Sequence, residues 1–133
     1  MTGLSFDWEA AARRPVLAVT GCNQRRMNDG SLAWDALALV LGDDAITLTA
    51  SQDSDEIVLA HTSEPRDASW NAVPALADLV GKPLGWCWLG RNSRGYQDTF
   101  TIALGEAVPD ALQPRIAFLA EGSSLSCFDL APR

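Results

Sequence analysis

The stretch that decides the fold runs from Asp35 to Ala60, DALALVLGDDAITLTASQDSDEIVLA. Leu37, Leu39 and Leu41 alternate with small residues, Gly42-Asp43-Asp44 turns the chain, and Ile46, Leu48 and Ala50 alternate again. Ser51 to Asp55 is a second polar turn, after which Ile57 and Leu59 give a third strand. A period of two puts the apolar side chains of each run on one face, and short polar turns join antiparallel neighbours. The stretch therefore reads as a β-meander.

Upstream, residues 16–20 (VLAVT) read as a strand and GCNQRRMNDGS is turn-rich. Phe6 to Arg13 reads as a short helix with Ser5 as cap, Asp7 and Glu9 in its first turn, and Pro15 as the stop. Downstream, the polar connector 62–69 leads into the main expected helix, over 72–80. Asn71 would cap it, Pro74 falls in its first turn, Val73, Leu76, Leu79 and Val80 share a face, and Gly81 follows as the C′ residue. Strands then return at PLGWCWL, at 98–104, at 116–120 and at 125–130, with Pro109 and Pro114 marking an irregular link that can hold one helical turn. The expected fold class is α+β: a predominantly antiparallel, strongly twisted or partly barrel-like sheet with one main helix near 72–80.

The two halves of the chain read alike. Gly21-Cys22-Asn23-Gln24-Arg25 matches Gly90-Arg91-Asn92-Ser93-Arg94 as G-x-N-x-R, with Leu17 and Val19 ahead of the first and Trp86 and Trp88 ahead of the second. D-ALALVL-G from Asp35 then matches D-TFTIAL-G from Asp98, and Ile46, Leu48 and Ala50 match Ile116, Phe118 and Ala120. The expectation is a single domain built by internal duplication of 16–60 and 85–130.

A length of 133 residues is one domain's worth, and 47% apolar against 20% charged residues excludes a disordered tail, a coiled coil or a fibre. Seventeen acids against ten bases give a net charge of −7, with ten of the acids within residues 1–66. Such a chain repels phosphate, so nucleic acid is not an expected ligand; the acid reads as a solubilising surface or, more sharply, as a face for a basic protein partner. Cys22, Cys87 and Cys127 are odd in number and none forms C-x-x-C, which suits buried thiols in a reducing compartment. MTGLSFDWEAAARRP does not read as a signal peptide, and the run ALALVL is too short to span a membrane, so the expected location is cytoplasmic.

The densest polar and aromatic region is GWCWLGRNSRGYQD, 85–98. Trp86 and Trp88 share one face of a strand; they read as core, with at least one largely buried, or else as the wall of a pocket or interface. The loop after them carries Arg91, Asn92, Arg94, Tyr96 and Asp98. Asn92 and Gly95 suit left-handed turn positions, and the loop reads as a hydrogen-bonded turn or a recognition loop. Asp53, Asp55 and Glu56 form a tight acidic turn that lacks EF-hand spacing, and reads as a solvated tip or as a contact for a basic partner. There is no nucleophile elbow at Gly122-Ser123-Ser124, no P-loop and no G-x-G-x-x-G, and His61 is the only histidine. No cofactor, metal site or catalytic set is read.

GKPLGWCWLGRNSRGYQDTFTIAL, followed by RIAFLAEGSSLSCF, resembles a bacterial domain-of-unknown-function family, number sixty-three thirty-four. The resemblance is strongest over 70–130 and looser over the first half, through Asp55-Glu56-Ile57. Ser93-Arg94 stands where that family's pattern has two amide side chains. The resemblance implies a small cytosolic α+β protein and names no activity for it. By analogy with small solo domains, the reading is a non-enzymatic protein-binding domain, immunity-like, using an acidic face. The rival is a small-molecule binding domain with a Trp/Tyr-lined pocket, and an enzyme comes third.

Overall fold

The computed structural model describes residues 4–130; the first three residues of the N-terminal stretch read above lie outside them. Two antiparallel sheets enclose one core. The first sheet has five strands in the order β6-β5-β4-β1-β7: β1 (Ala18–Cys22), β4 (Ala36–Val40), β5 (Asp44–Ala50), β6 (Ile57–Ser63) and β7 (Trp70–Ala72). The second has four in the order β11-β10-β9-β8: β8 (Leu84–Arg91), β9 (Gln97–Leu104), β10 (Ile116–Glu121) and β11 (Ser124–Asp129). A two-stranded ribbon, β2 (Arg25–Arg26) and β3 (Leu32–Ala33), stands between β1 and β4 in the chain. Leu37, Leu39, Ile46 and Leu48 from the first sheet meet Phe100, Ile102, Phe118 and Leu125 from the second in a single buried cluster. Neither sheet closes on itself, so the architecture is a sandwich and not a barrel.

The chain is mostly β, which corrects the α+β expectation. The segment expected as the main helix is instead β7 followed by 3-10 turns over Pro74–Leu79, with a break at Leu76 (φ −110°, ψ 16°). The physical reason is the spacing. Val73, Leu76 and Leu79 are buried at intervals of three, the period of a 3-10 helix, while Val80, which the α reading needed inside, is 45% exposed. Asn71 cannot cap a helix because it lies in β7 opposite Gly21 of β1. The Phe6–Arg13 helix is likewise a 3-10 turn, Trp8–Ala10, capped by Asp7 rather than Ser5.

The two meanders β1-β4-β5-β6 and β8-β9-β10-β11 have the same strand order. Their central hairpins also share a register under the sequence match. Leu37 lies opposite Leu48 and Leu39 opposite Ile46; Phe100 lies opposite Phe118 and Ile102 opposite Ile116. The correspondence slips in the leading strands. Val19 is buried, whereas Trp88, its sequence match, faces outward. β8 carries register shifts between Leu84 and Cys87 and between Gly90 and Arg91, and a bulge changes which face a side chain takes.

Two bridges tie the sheets together. Pro15 pairs with Pro83 at the start of β8, and Trp34 exchanges both backbone hydrogen bonds with Leu125 of β11 (2.9 and 2.7 Å). Trp34 is the core tryptophan, 1% exposed, with its indole N–H donating to Gln24 Oε1 at 3.2 Å.

Candidate functional site

The bulge at the start of β8 decides the fate of its tryptophans. Leu84, Cys87 and Leu89 pack on the core, and Trp86 and Trp88 take the outer face. Trp86 is 61% exposed and Trp88 partly buried, but neither joins the core cluster, so the reading of the pair as core residues is corrected. Register places Trp88 beside Thr101, Thr101 beside Ala117, and Ala117 beside Phe128, a row that crosses the whole second sheet. The neighbouring row is Gly90, Thr99, Leu119 and Ser126. Neither row holds a charge.

Toward β11 this face rises into a groove of about 790 Å³ under the β2–β3 ribbon, lined by Met27, Leu32, Leu119, Ser126 and Phe128. Phe128 is 52% exposed. The ribbon exists because Asn28-Asp29-Gly30 turns it: Gly30 has φ +88°, and the Asp29 carboxylate accepts from the Ser31 N–H (2.9 Å) and hydroxyl (2.6 Å), which holds its pKa below the usual range. The Asp-Gly step was the available sequence signal for this hairpin, which the reading of a turn-rich stretch passed over.

The loop residues Asn92, Tyr96 and Asp98 form a turn that satisfies much of its own backbone. Asn92 Oδ1 accepts from the N–H groups of Arg94 (2.9 Å) and Tyr96 (3.2 Å), and Asn92 Nδ2 donates to Asp98 at 3.2 Å. Gly95 has φ +86°. Arg91, Arg94 and Tyr96 are exposed. The same Asn–Asp pairing occurs in the first half, where Asn23 Nδ2 donates to Asp35 (2.7 Å). There Arg25 joins the carboxylate at 2.6 Å, and Asn23 first, then Arg25, lowers the Asp35 pKa.

The acidic turn meets this loop. Glu56 accepts from the Gln97 N–H at 3.0 Å, and Gln97, 4% exposed, reaches back to Ile57 O at 3.4 Å. Asp55 accepts from the Ser123 N–H at 3.2 Å. These two carboxylates join the turns at one end of the sandwich, while Asp53 stays exposed at the tip. Trp86 lies apart, beside a smaller cavity of about 320 Å³ with Trp8, Val108 and Leu112. Neither Trp88 nor Tyr96 lines either of these two cavities.

The chain belongs to the family of unknown function DUF6334. The family's sequence profile matches residues 1–133, the whole chain. Comparison with curated proteins and with solved structures gave no match.

A second polar cluster sits at the opposite end of β5 and was missed from sequence because its members are far apart in the chain. Arg14 grips Asp44 with two bonds of 2.6 Å, and His61 Nε2 meets the same carboxylate at 2.6 Å, with the Phe6 ring 5.7 Å from the imidazole. Arg14 first, then His61, holds the Asp44 carboxyl well below the usual range. Among the described residues no serine, threonine or cysteine bonds to His61, so the Asp–His pair lacks a nucleophile. Burial pushes the Cys87 thiol up to about 11 and raises Cys127 as well, which makes both poor nucleophiles at neutral pH. Among the described residues no three His, Cys, Asp or Glu side chains could hold a metal, and no helix is long and apolar enough to cross a membrane.

Proposed function

We propose that this DUF6334 member is a non-enzymatic binding module that takes a basic protein partner on the outer face of its second sheet. The observation that carries the reading is the row Trp88–Thr101–Ala117–Phe128. It is an uncharged strip ending in two aromatics, on a chain with a net charge of −7. Interface centres are depleted in charge and enriched in aromatics, and the surrounding negative field steers a cationic partner onto them. The acidic turn 53–56 contributes less than its composition suggests, because Asp55 and Glu56 are occupied by backbone donors of neighbouring turns. Three free cysteines are in keeping with a cytoplasmic setting.

The immunity-like form of the proposal is tested by co-expression with the product of the adjacent reading frame. The expected result is a complex, and relief of any toxicity of that product, both lost in Trp88→Lys/Phe128→Lys with an unchanged melting temperature. Retention of the complex by that folded double variant would overturn the assignment of this face.

A further inference from the structure

The second sheet ends in β11, and the geometry points to its outer edge as a strand-addition site: we propose that it accepts an extended, lysine-containing segment of the partner, lying in the groove beneath the β2–β3 ribbon. The inference rests on the binding reading above and names what the partner presents.

Backbone direction along β11 is fixed by its neighbours. Leu125 directs both its N–H and its C=O away from β10, to Trp34, and Leu130 donates toward the β10 side, to Arg115 O. Alternation then directs the N–H and C=O of Cys127 outward too, while Ser124, Ser126 and Phe128 bond to β10. The Glu121–Ser124 turn agrees: Gly122 (φ +59°) and Ser123 (φ +64°) form the two-residue loop that makes Ser124 a bonded partner of Glu121.

The chain begins to cover this edge and then leaves it. Trp34 pairs with Leu125, but the residues before it, Leu32 and Ala33, pair with Arg26 and Arg25 instead. The ribbon is drawn off, and the groove opens where pairing would have continued, with Leu125 and Cys127 among its lining residues. Among the described residues the Cys127 backbone has no partner beyond β10.

Other edges do not offer the same site. The start of β8 is bonded to the segment 13–14, β7 has three residues, and β6 lines neither cavity. An added strand at β11 would direct alternate side chains onto the outer face beside Ser126 and Phe128, where apolar or hydroxyl side chains fit. The charged groups lining the groove are Asp29, Glu121 and Arg26, which donates to Gly30 O at 2.9 Å, so the lining keeps a net charge of −1. That balance favours lysine on the incoming segment.

The test uses a capped synthetic peptide, Lys-Val-Thr-Val-Thr-Val-Lys, titrated into the ¹⁵N-labelled protein. The expected result is saturable shifts around Cys127 and Phe128, with exchange of the Cys127 amide slowed at least about tenfold. Cys127→Pro removes a donor that the sheet does not use, whereas Cys127→Val keeps it and controls for the lost thiol. Peptide binding should weaken by about two- to tenfold in Cys127→Pro relative to Cys127→Val, as expected for a lost backbone hydrogen bond. Absence of shifts at Cys127 in the unmodified protein at millimolar peptide would overturn strand addition, and so would equal binding by the two folded variants. Either outcome leaves the Trp88 and Phe128 test standing, so the two proposals fail separately.

Discussion

Gly21→Ala should destabilise the protein by steric conflict with its core tryptophan. A methyl group at residue 21 would sit 2.6 Å from Trp34 Cδ1, 3.0 Å from Trp34 Nε1 and 3.0 Å from Val73 Cγ2. None of these can swing into solvent, since Trp34 is fully buried and tethered by Gln24 and by its backbone bonds to Leu125. Overpacking of this kind costs about 1–3 kcal/mol, and contacts this short on rigid groups belong in the upper half of that range. Replacing glycine also restricts the unfolded chain, which returns about 0.4–1 kcal/mol. The net loss is about 1–2.5 kcal/mol. With an unfolding entropy of about 2.1 cal/mol/K per residue, a chain of this length should lose about 4–9 °C in Tm. Calorimetry or thermal circular dichroism reads this directly. Gly90→Ala is the control, because its nearest contact is Thr99 Cβ at 3.2 Å on the open outer face; it should shift Tm by less than about 3 °C. Trp34→Phe supplies the second arm. If the clash is with the indole, Gly21→Ala and Trp34→Phe must couple, by about 0.5 kcal/mol or more in a double-mutant cycle. Additive single effects, or a Gly21→Ala protein as stable as the parent, would refute the placement of Trp34 against β1.

Asp44→Asn should cost about 1–2 kcal/mol at pH 7, because two part-exposed partners, the Arg14 guanidinium and the His61 ring, lose their shared carboxylate. Since the Asp44 pKa is depressed in the fold, its contribution is full above the unfolded carboxylate value of about 3.9 and is lost as pH falls below it. Urea midpoints should therefore differ most between parent and variant at pH 7 and draw together as pH falls below about 3.9 toward the folded value, and a gap as wide at pH 2.5 as at pH 7 would rule out this contribution. Glu56→Ala should cost about 1–3 kcal/mol by leaving the N–H of buried Gln97 without its acceptor, read as a lower urea midpoint at unchanged slope. In the 92–98 turn, Asn92→Ala should cost about 1 kcal/mol and Asp98→Asn about half that or less, since Asn92 holds two backbone donors, whereas Asp98 accepts from the side chains of Asn92 and Thr99, from which an asparagine Oδ1 can still accept. The reverse ranking in thermal melts would show that the carboxylate is the structural member. The shared strand order and hairpin register lead us to propose an internal duplication; residues 18–63 should superpose on 84–129 with one handedness, and opposite hands would reduce the likeness to convergence.

The sequence by itself determined the eight strands of the two meanders and the short turns at 42–44 and 51–55, because these depend on neighbours a few residues apart; β2, β3 and β7 were not legible as strands. The period-two run from Asp35 and the turn at Gly42–Asp44 bring Leu37 against Leu48 locally, whereas Phe100 meets Phe118 across the longer, irregular link 105–115. Alternation also put Trp86 and Trp88 on a common face, but it is silent on which face is inside. That was decided by the bulge in β8 and by Trp34, which fills the core from the other half of the chain. The segment 72–80 failed as a helix for a related reason: Val73, Leu76, Leu79 and Val80 fit a helical stripe on paper, yet pairing of Trp70–Ala72 with β1 leaves too few residues for more than 3-10 turns. Tertiary structure alone made the acidic turn a brace for Gln97 and Ser123, joined Arg14 to Asp44 and His61, and drew the ribbon away from β11 to open the groove. Each of these depends on contacts between segments tens of residues apart, whose free energy is set by the packing of the two sheets and leaves no periodic trace along the chain.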